Sequence, residues 1–257
     1  MKIIVSSKEV PVRDSQLRIA TDDARWIEDG DLSYEMNEPD AYALEEALQL
    51  KEKHGGEVIA LCAGRIRASQ TIREALAKGA DRALHIEDED IGSWDTLSLA
   101  RLLAKAAGRE KPDLILTGLQ SDDLGYGQTR VVLAEILGLP HATIVMAAEV
   151  LDGRIRVKRE LASGWFQNIE MPLPAVLTIQ SGINKLRYAT LMGIKKAKTK
   201  EVKCLTAREL GVTASATATI ERVYFPHKAK QTQLLEGSAR EAAAKLIEKL
   251  RFEARVI

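Results

Sequence analysis

Residues 113–139, DLILTGLQSDDLGYGQTRVVLAEILGL, constrain the fold more than any other stretch of the chain. They open on Leu114-Ile115-Leu116, a short apolar run of the kind that forms a strand buried on both faces. A polar, glycine-bearing stretch follows, and Val131, Leu133, Ala134, Ile136 and Leu137 then recur at helical spacing until Gly138 and Pro140 stop them. The order is strand, loop, helix. In an open parallel sheet, ligands sit outside the carboxyl ends of strands, where such loops lie. This loop would aim backbone N–H groups and the positive end of the helix dipole at an anion. Gln128 and Thr129 are the first side chains of the helix, and both can donate hydrogen bonds. Asp122 and Asp123 would repel a phosphate placed beside them, so they are expected to face a sugar hydroxyl, cap the helix or point to solvent. The loop lacks Gly-Lys-Ser/Thr, so it is no Walker loop, and Gly125-Tyr126-Gly127 is not a full Gly-x-Gly-x-x-Gly fingerprint. On spacing alone, nucleotide binding and an ordinary strand-to-helix connection both stand.

A chain of 257 residues makes one large domain, or one domain with an appendage. Lys+Arg and Asp+Glu both number 37, and this balance argues against a general nucleic-acid binder, which carries a basic surplus. No apolar stretch approaches the roughly 18 residues of a membrane helix. The apolar part of MKIIVSSKEV is too short for a signal peptide and reads as a first strand, so a cytoplasmic chain is expected. Cys62 and Cys204 stand far apart and neither belongs to a Cys-x-x-Cys pair. No zinc or iron–sulfur site and no disulfide is expected from them. His54, His85, His141 and His227 are scattered, with no HExxH, Gly-x-Ser-x-Gly or Cys/His spacing that points to catalysis.

Along the chain, strands are predicted over 2–5, 57–62 and 82–86, before the one at 114. Residues 11–36 hold ten charged residues after Val12 and read as a long loop with room for a hairpin. A helix begins near Pro39, with Asn37 or Glu38 as its cap and Asp40 favourable to its dipole. Ala41, Leu44, Ala47, Leu48 and Lys51 mark one face, and Gly55-Gly56 end it. Further helices are predicted over 68–78, and from a Ser93 or Asp95 cap to Gly108. This alternation predicts an α/β fold: a doubly wound, mostly parallel, Rossmann-like sheet. After Pro140 come strands at 142–146, 154–159 and 175–179, with Asp152-Gly153 as a hairpin signal. We therefore expect a nucleotide-binding domain over 1–180 and an extension over 181–257. The extension holds a lysine run (Lys195, Lys196, Lys198, Lys200, Lys203), an irregular segment over 226–233, and a last helix opened by a Ser238/Glu241 capping box. Its apolar face is Ala242, Leu246, Ile247 and Leu250, free to dock on its own domain or on a partner.

Several segments taken together resemble the beta subunit of the electron transfer flavoproteins: Asn37-Glu38-Pro39-Asp40 leading into ALEEALQLKEK, the helix TIREALAKGADRA, the loop GLQSDDLGYGQT, and RYATLMGIKKAK. No one of them is specific alone; their order and spacing carry the resemblance, over roughly residues 2–211. It implies an adenine-nucleotide-binding α/β subunit that pairs with an alpha subunit and carries no catalytic side chains, the redox chemistry belonging to FAD shared with alpha. It also implies AMP, or a second FAD, bound by the beta subunit itself. The expected nucleotide contacts fall on Ser6, Asn37, Glu38, Pro39, Asp40, Ala63, Gly118, Leu119, Gln120, Ser121, Asp122, Asp123, Leu124, Gly125, Tyr126, Gly127, Gln128 and Thr129. Leu191, in Arg187-Tyr188-Ala189-Thr190-Leu191, matches the family's recognition leucine, which docks on partner dehydrogenases.

The chain departs from the family at Glu38, at Arg130, and at Met192-Gly193. Arg130 is expected either to meet a phosphate or to be exposed, and Gly193 to loosen the recognition loop. Plainer readings stand beside these. Asn37 caps a helix, Gly125 and Gly127 serve backbone geometry, and Leu191 packs on its own sheet. Two rival functions are a stand-alone stress-type nucleotide-binding module, which would not need residues 181–257, and an ATP pyrophosphatase. The latter needs a Ser-Gly-Gly-x-Asp-Ser loop where this chain has Ser6-Ser7-Lys8-Glu9.

Overall fold

The computed structural model describes residues 1–22, 25–26, 32–226 and 232–257. Parts of the long loop expected over 11–36 and of the irregular segment over 226–233, with His227, lie outside the described residues. The elements in chain order are β1 (Lys2–Ser7), β2 (Glu9–Pro11), β3 (Tyr34–Met36), α1 (Glu38–His54), β4 (Glu57–Gly64), α2 (Ser69–Lys78), β5 (Arg82–Glu87), α3 (Thr96–Glu110), β6 (Leu114–Gly118) and α4 (Thr129–Leu137). After them come β7 (His141–Leu151), β8 (Arg154–Glu160), β9 (Phe166–Pro172), β10 (Ala175–Ile179), α5 (Leu191–Ala197), β11 (Val202–Leu205), α6 (Ala207–Leu210) and α7 (Ala239–Phe252).

The main sheet has nine strands in the order β11-β5-β4-β1-β6-β10-β7-β8-β9. It is parallel from β11 to β7 and antiparallel through the β7–β8–β9 meander. Alternation along each central strand divides the core into two layers. Ile3, Val5, Val58, Ala60, Leu114 and Leu116 meet Leu44, Ala47 and Leu48 of α1 and Ile72 and Leu76 of α2. Ile4, Ile59, Leu61 and Ile115 meet Leu102 and Leu103 of α3 and Leu133 and Ala134 of α4. The fold is the expected doubly wound α/β sheet. After β1 the chain builds outward through β4 and β5, then crosses back to lay β6 on the other side of β1. The point where strand order reverses is the gap between the carboxyl ends of β1 and β6, the ligand crevice of open α/β sheets.

Two strands were not legible in the sequence. β9 is exposed along most of its length and shows no apolar alternation. β11 is four residues long and lies at the sheet edge with Lys203 and Cys204 exposed. Because β11 pairs in register with β5, the main sheet includes residues beyond 180. The exposed part of the chain begins later, at 213. It starts tied to α3: Asp95 caps that helix through the Ser98 N–H at 2.8 Å and also accepts from the backbone N–H and hydroxyl of Thr217. α7 opens on the expected Ser238/Glu241 capping box, and none of its residues is buried. No described helix is long and apolar enough to cross a membrane.

Candidate functional site

The carboxyl ends of β1 and β6 meet the start of α1 and the loop at 119–128, and a set of buried polar contacts holds the four together. Asn37 is fully buried at the N-cap position of α1, yet its side chain makes no capping bond. Its Nδ2 donates to the Gln120 carbonyl at 2.9 Å and its Oδ1 accepts from the Asp122 N–H at 2.9 Å. The amide thus pairs with the loop backbone as a neighbouring strand would, and the plain cap reading of Asn37 does not hold. Asp40, also fully buried, accepts from the Gly118 N–H at 2.8 Å through Oδ1 and from the Lys8 N–H at 2.9 Å through Oδ2. Gly118 is glycine because α1 crosses it so closely: a Cβ there would lie 2.5 Å from Asp40 Oδ1 and 2.6 Å from the Pro39 carbonyl carbon.

Arg130 neither reaches out toward an anion nor lies exposed. Its side chain is 11% exposed and its guanidinium stands 3.3 Å from Asp40. Burial raises the Asp40 pKa, and Arg130 with the Gly118 and Lys8 N–H groups pulls against that rise. A buried pair of this kind is weak evidence of net stabilisation, but removing one member strands the other. Lys8, which the sequence reading passed over, completes the set. Its Nζ binds both carboxylate oxygens of Asp123, at 2.7 and 2.6 Å. Burial pushes the Asp123 pKa up, and the nearby Lys8 ammonium, with hydrogen bonds to the carboxylate, more than reverses it, leaving the group below its ordinary value. Asp123 also accepts from the Leu124 N–H at 2.7 Å. Its expected conflict with a phosphate is removed by this pairing. No local signal marks Lys8, because 115 positions separate it from Asp123.

The outer half of the loop is different. Gly125, Tyr126 and Gln128 are exposed. Gly125 and Gly127 have φ of 66° and 63°, and a Cβ on either would meet nothing closer than 3.7 Å. Glycine is required there by left-handed backbone, not by crowding within the chain. Gln128 is the N-cap of α4 and its side chain makes no capping bond, so Gln128 and Thr129 stand at an open helix N-terminus. Strand alternation turns Ser6 and Ala63 to the α3/α4 side, the layer that α4 occupies. The expected residues therefore divide. Asn37, Pro39, Asp40 and Ser121 are buried and Asp123 is spent on Lys8; they build the loop. Glu38 is paired with Arg13 at 3.3 Å, at the surface. Of the outer loop, Gly125, Tyr126 and Gln128 are exposed and Leu124, Gly127 and Thr129 partly so; Ser6 is buried at the end of β1, and Ala63 is partly buried at the end of β4. Backbone N–H groups at an open helix terminus are the kind of donors that suit an anion.

A second surface lies on the α1/α2 side. Arg187 grips α1 through Glu45, at 2.7 and 3.0 Å, and through Glu52, at 2.6 and 3.3 Å. Asn184 donates to the Tyr42 carbonyl and to Glu46, both at 3.1 Å. The chain then rises to Tyr188, 91% exposed, and to Leu191 and Met192, 87% and 61% exposed. Leu191 is not packed on its own sheet. Nor does it lie on irregular chain: it opens α5, capped by Thr190 through the Gly193 N–H at 3.0 Å. Gly193 tightens this surface where loosening was expected. A Cβ there would lie 2.3 Å from the Ala77 carbonyl oxygen, so glycine lets α5 sit directly on α2. Arg73 donates to the Ala197 carbonyl at 2.7 Å, and Lys200 to the carbonyls of Leu76 and Ala80 at the end of α2. Lys195, Lys196 and Lys198 stay exposed around the platform.

The electron transfer flavoprotein domain family matches residues 26–210. The chain is 35% identical to "Electron transfer flavoprotein subunit beta" of Methylophilus methylotrophus, over 96% of this chain and 97% of that one. It is 34% identical to the protein of the same name from Sus scrofa, over 100% and 99%. It is 35% identical to that from Bradyrhizobium diazoefficiens, over the whole of both. With the matched domain spanning most of the sheet and the likeness running end to end, the chain belongs to the electron transfer flavoprotein family, among its beta subunits.

Proposed function

We propose that this chain is the beta half of a heterodimeric electron carrier rather than an enzyme. It would take electrons from dehydrogenases, such as acyl-CoA dehydrogenases, and pass them on, with an alpha subunit as its constant partner. The observation that carries the reading is the loop at 119–128, pinned from beneath by Asn37 and Asp40 and left open at the α4 N-terminus. Leu124 to Thr129 would hold the phosphate of an adenine nucleotide, through backbone N–H groups and the Gln128 and Thr129 side chains. Ser6 and Ala63 would line the side toward the sheet. FAD, shared with the alpha subunit, supplies the electron chemistry when bound. The beta-site nucleotide is AMP in our reading, with a second FAD as the alternative.

AMP in this place would be a structural ligand. A ligand that binds only the folded chain stabilises it by about 2.7 kcal/mol at a hundred times its dissociation constant. A stand-alone stress-type module is the lesser reading, because the clamped α5 platform and the unburied α7 would then have no use. The test is to purify the chain with its alpha subunit, denature the complex and identify the nucleotides released. One FAD and one AMP per heterodimer is the expected result, and two FAD would replace AMP with the alternative. A complex holding FAD alone would remove the loop from nucleotide binding. A replacement of Gly127 by Asn, which tolerates left-handed backbone, is expected to fold and to lower the AMP content.

A further inference from the structure

We propose that His85, Glu87 and Cys204 form a divalent metal site of the zinc class, on the rim of the sheet away from the nucleotide loop. Cys204 of β11 lies directly across from His85 of β5 in the parallel register, and Glu87 follows two residues on, on the same face. One potential ligand atom from each falls within 4.8 Å of the other two, the one group of three among the described residues. Imidazole nitrogen, thiolate sulfur and carboxylate oxygen are the donor types zinc takes in three-ligand sites, with water in the fourth place. Thiolate and carboxylate together balance a divalent charge.

The surroundings fit the assignment. His85 is 2% exposed and its Nε2 stands 3.3 Å from the Gly64 carbonyl oxygen. A proton on Nε2 would bond that carbonyl and leave the Nδ1 lone pair for a metal, the outer-shell arrangement that orients metal-binding histidines. Cys204 is exposed, which gives a metal and its water an entry path. Cys62 is no competitor: it is buried, and burial pushes its thiol pKa up to about 12. The absence of a Cys-x-x-Cys pair does not weigh against the site, because its ligands are gathered by the pairing of strands that lie far apart in the sequence. A metal here would clasp the short edge strand β11 to β5. The chain leaves α5 only four residues before β11, so the clasp would also fix the return of the docking platform.

The experiment uses the full chain, stripped with chelator and reloaded with zinc, with zinc counted by elemental analysis after removal of the unbound ion. The expected result is one zinc per chain, with a sulfur scatterer at about 2.3 Å in X-ray absorption. The melting temperature should rise by about 5–10 °C at a hundredfold excess over the dissociation constant. Cys204→Ala, at an exposed position, should keep the apo melting temperature and weaken zinc by more than the 10–100-fold that loss of an outer-shell partner costs. Glu87→Gln should weaken zinc while keeping the sulfur scatterer. No retained zinc, a shell of nitrogen and oxygen only, or undiminished zinc in Cys204→Ala would each overturn the assignment.

Discussion

The loop at 119–128 and the segment that leads into α5 are both held by α1, and they are held in different ways. At the start of the helix, Asn37 and Asp40 are fully buried and are consumed in fixing the backbone of the loop and strand ends. Further along, Glu45 and Glu52 hold Arg187, whose side chain is 31% exposed. The first clamp works where water is excluded and an unpaired group has no substitute partner. The second joins a partly exposed guanidinium to Glu45, which is itself buried, and to Glu52, which is open, so solvent can replace only part of it. One end of the helix sets a polar site that depends on backbone geometry. The other lifts apolar side chains into solvent, a surface suited to a partner that is met and released.

The largest effect expected from this contrast is at Asp40. Replacement by Ala strands the Arg130 guanidinium and leaves the Gly118 and Lys8 N–H groups without their acceptor. Breaking a buried pair from one side costs about 3–5 kcal/mol, to be read from chemical denaturation. Asp40→Asn, which keeps an acceptor oxygen, should cost less. Arg187→Ala should cost less, about 1–3 kcal/mol, because Glu52 is left to solvent and the buried Glu45 keeps the Gln49 amide as a donor. Equal losses in Asp40→Ala and Arg187→Ala would erase the distinction between the two ends of α1.

Next come the glycines, which serve opposite purposes in the two regions. Gly193→Ala drives a Cβ to 2.3 Å from the Ala77 carbonyl oxygen and must push α5 off α2. Overpacking of this kind costs about 1–3 kcal/mol and should also raise amide exchange across α5. Gly127→Ala makes only an ordinary contact, 3.7 Å from the Leu119 carbonyl oxygen, and suffers from its left-handed φ, about 1 kcal/mol. If melting curves rank the two the other way, α5 is not seated as closely as the structure has it.

How far the sequence revealed this follows from the range of each interaction. The alternating strands and helices up to 139 were readable because each carries its own period and its own stops, down to the left-handed C-cap at Gly138. β9 and β11 bury only one residue each, Met171 and Leu205, too few to set up a period. The site was legible as a place, since strand, glycine loop and helix follow one another, but the division of labour within it was not. Asn37 looked like a cap and acts as a pin on a loop 83 positions away. Arg130 stood where a phosphate ligand would be useful and turned inward to Asp40. Gly193 suggested slack and marks a close contact. In each case the deciding partner is distant in sequence, and no local pattern encodes it.

A smaller effect is expected from the pH dependence of the loop. The folded pKa of Asp123 lies below its ordinary value of 3.8. A depressed carboxylate contributes stability above its unfolded pKa and loses it as pH falls through the folded one. The gap in stability between the parent chain and Asp123→Asn should therefore be about 1.5 kcal/mol near neutral pH. It should close only below about pH 4. Denaturation midpoints of the two proteins across that range would show it. A gap that is already closed near pH 6 would mean that Lys8 and Asp123 are not paired in solution, and the loop would then lack one of its supports.

The smallest effect on stability, and the one that separates the two surfaces most sharply, is expected at Leu191. The residue is 87% exposed on the first turn of α5, so Leu191→Ala removes almost no buried area. Substitutions at such positions fall within about 0.5 kcal/mol, and melting temperature, nucleotide content and pairing with the alpha subunit should be those of the parent. In the function proposed here the same side chain anchors a dehydrogenase. Interfaces draw most of their energy from a few apolar or aromatic anchors, and loss of about 1.4 kcal/mol of contact weakens docking tenfold. Electron transfer from the cognate dehydrogenase at sub-saturating concentration should slow by about that factor. Arg187→Ala should slow it as well, but with some loss of stability, because it acts on the base of the platform and not on its tip. A Leu191→Ala protein that transfers electrons at the parent rate would take the docking role away from α5, and leave its exposed leucine and methionine without a purpose that the fold explains.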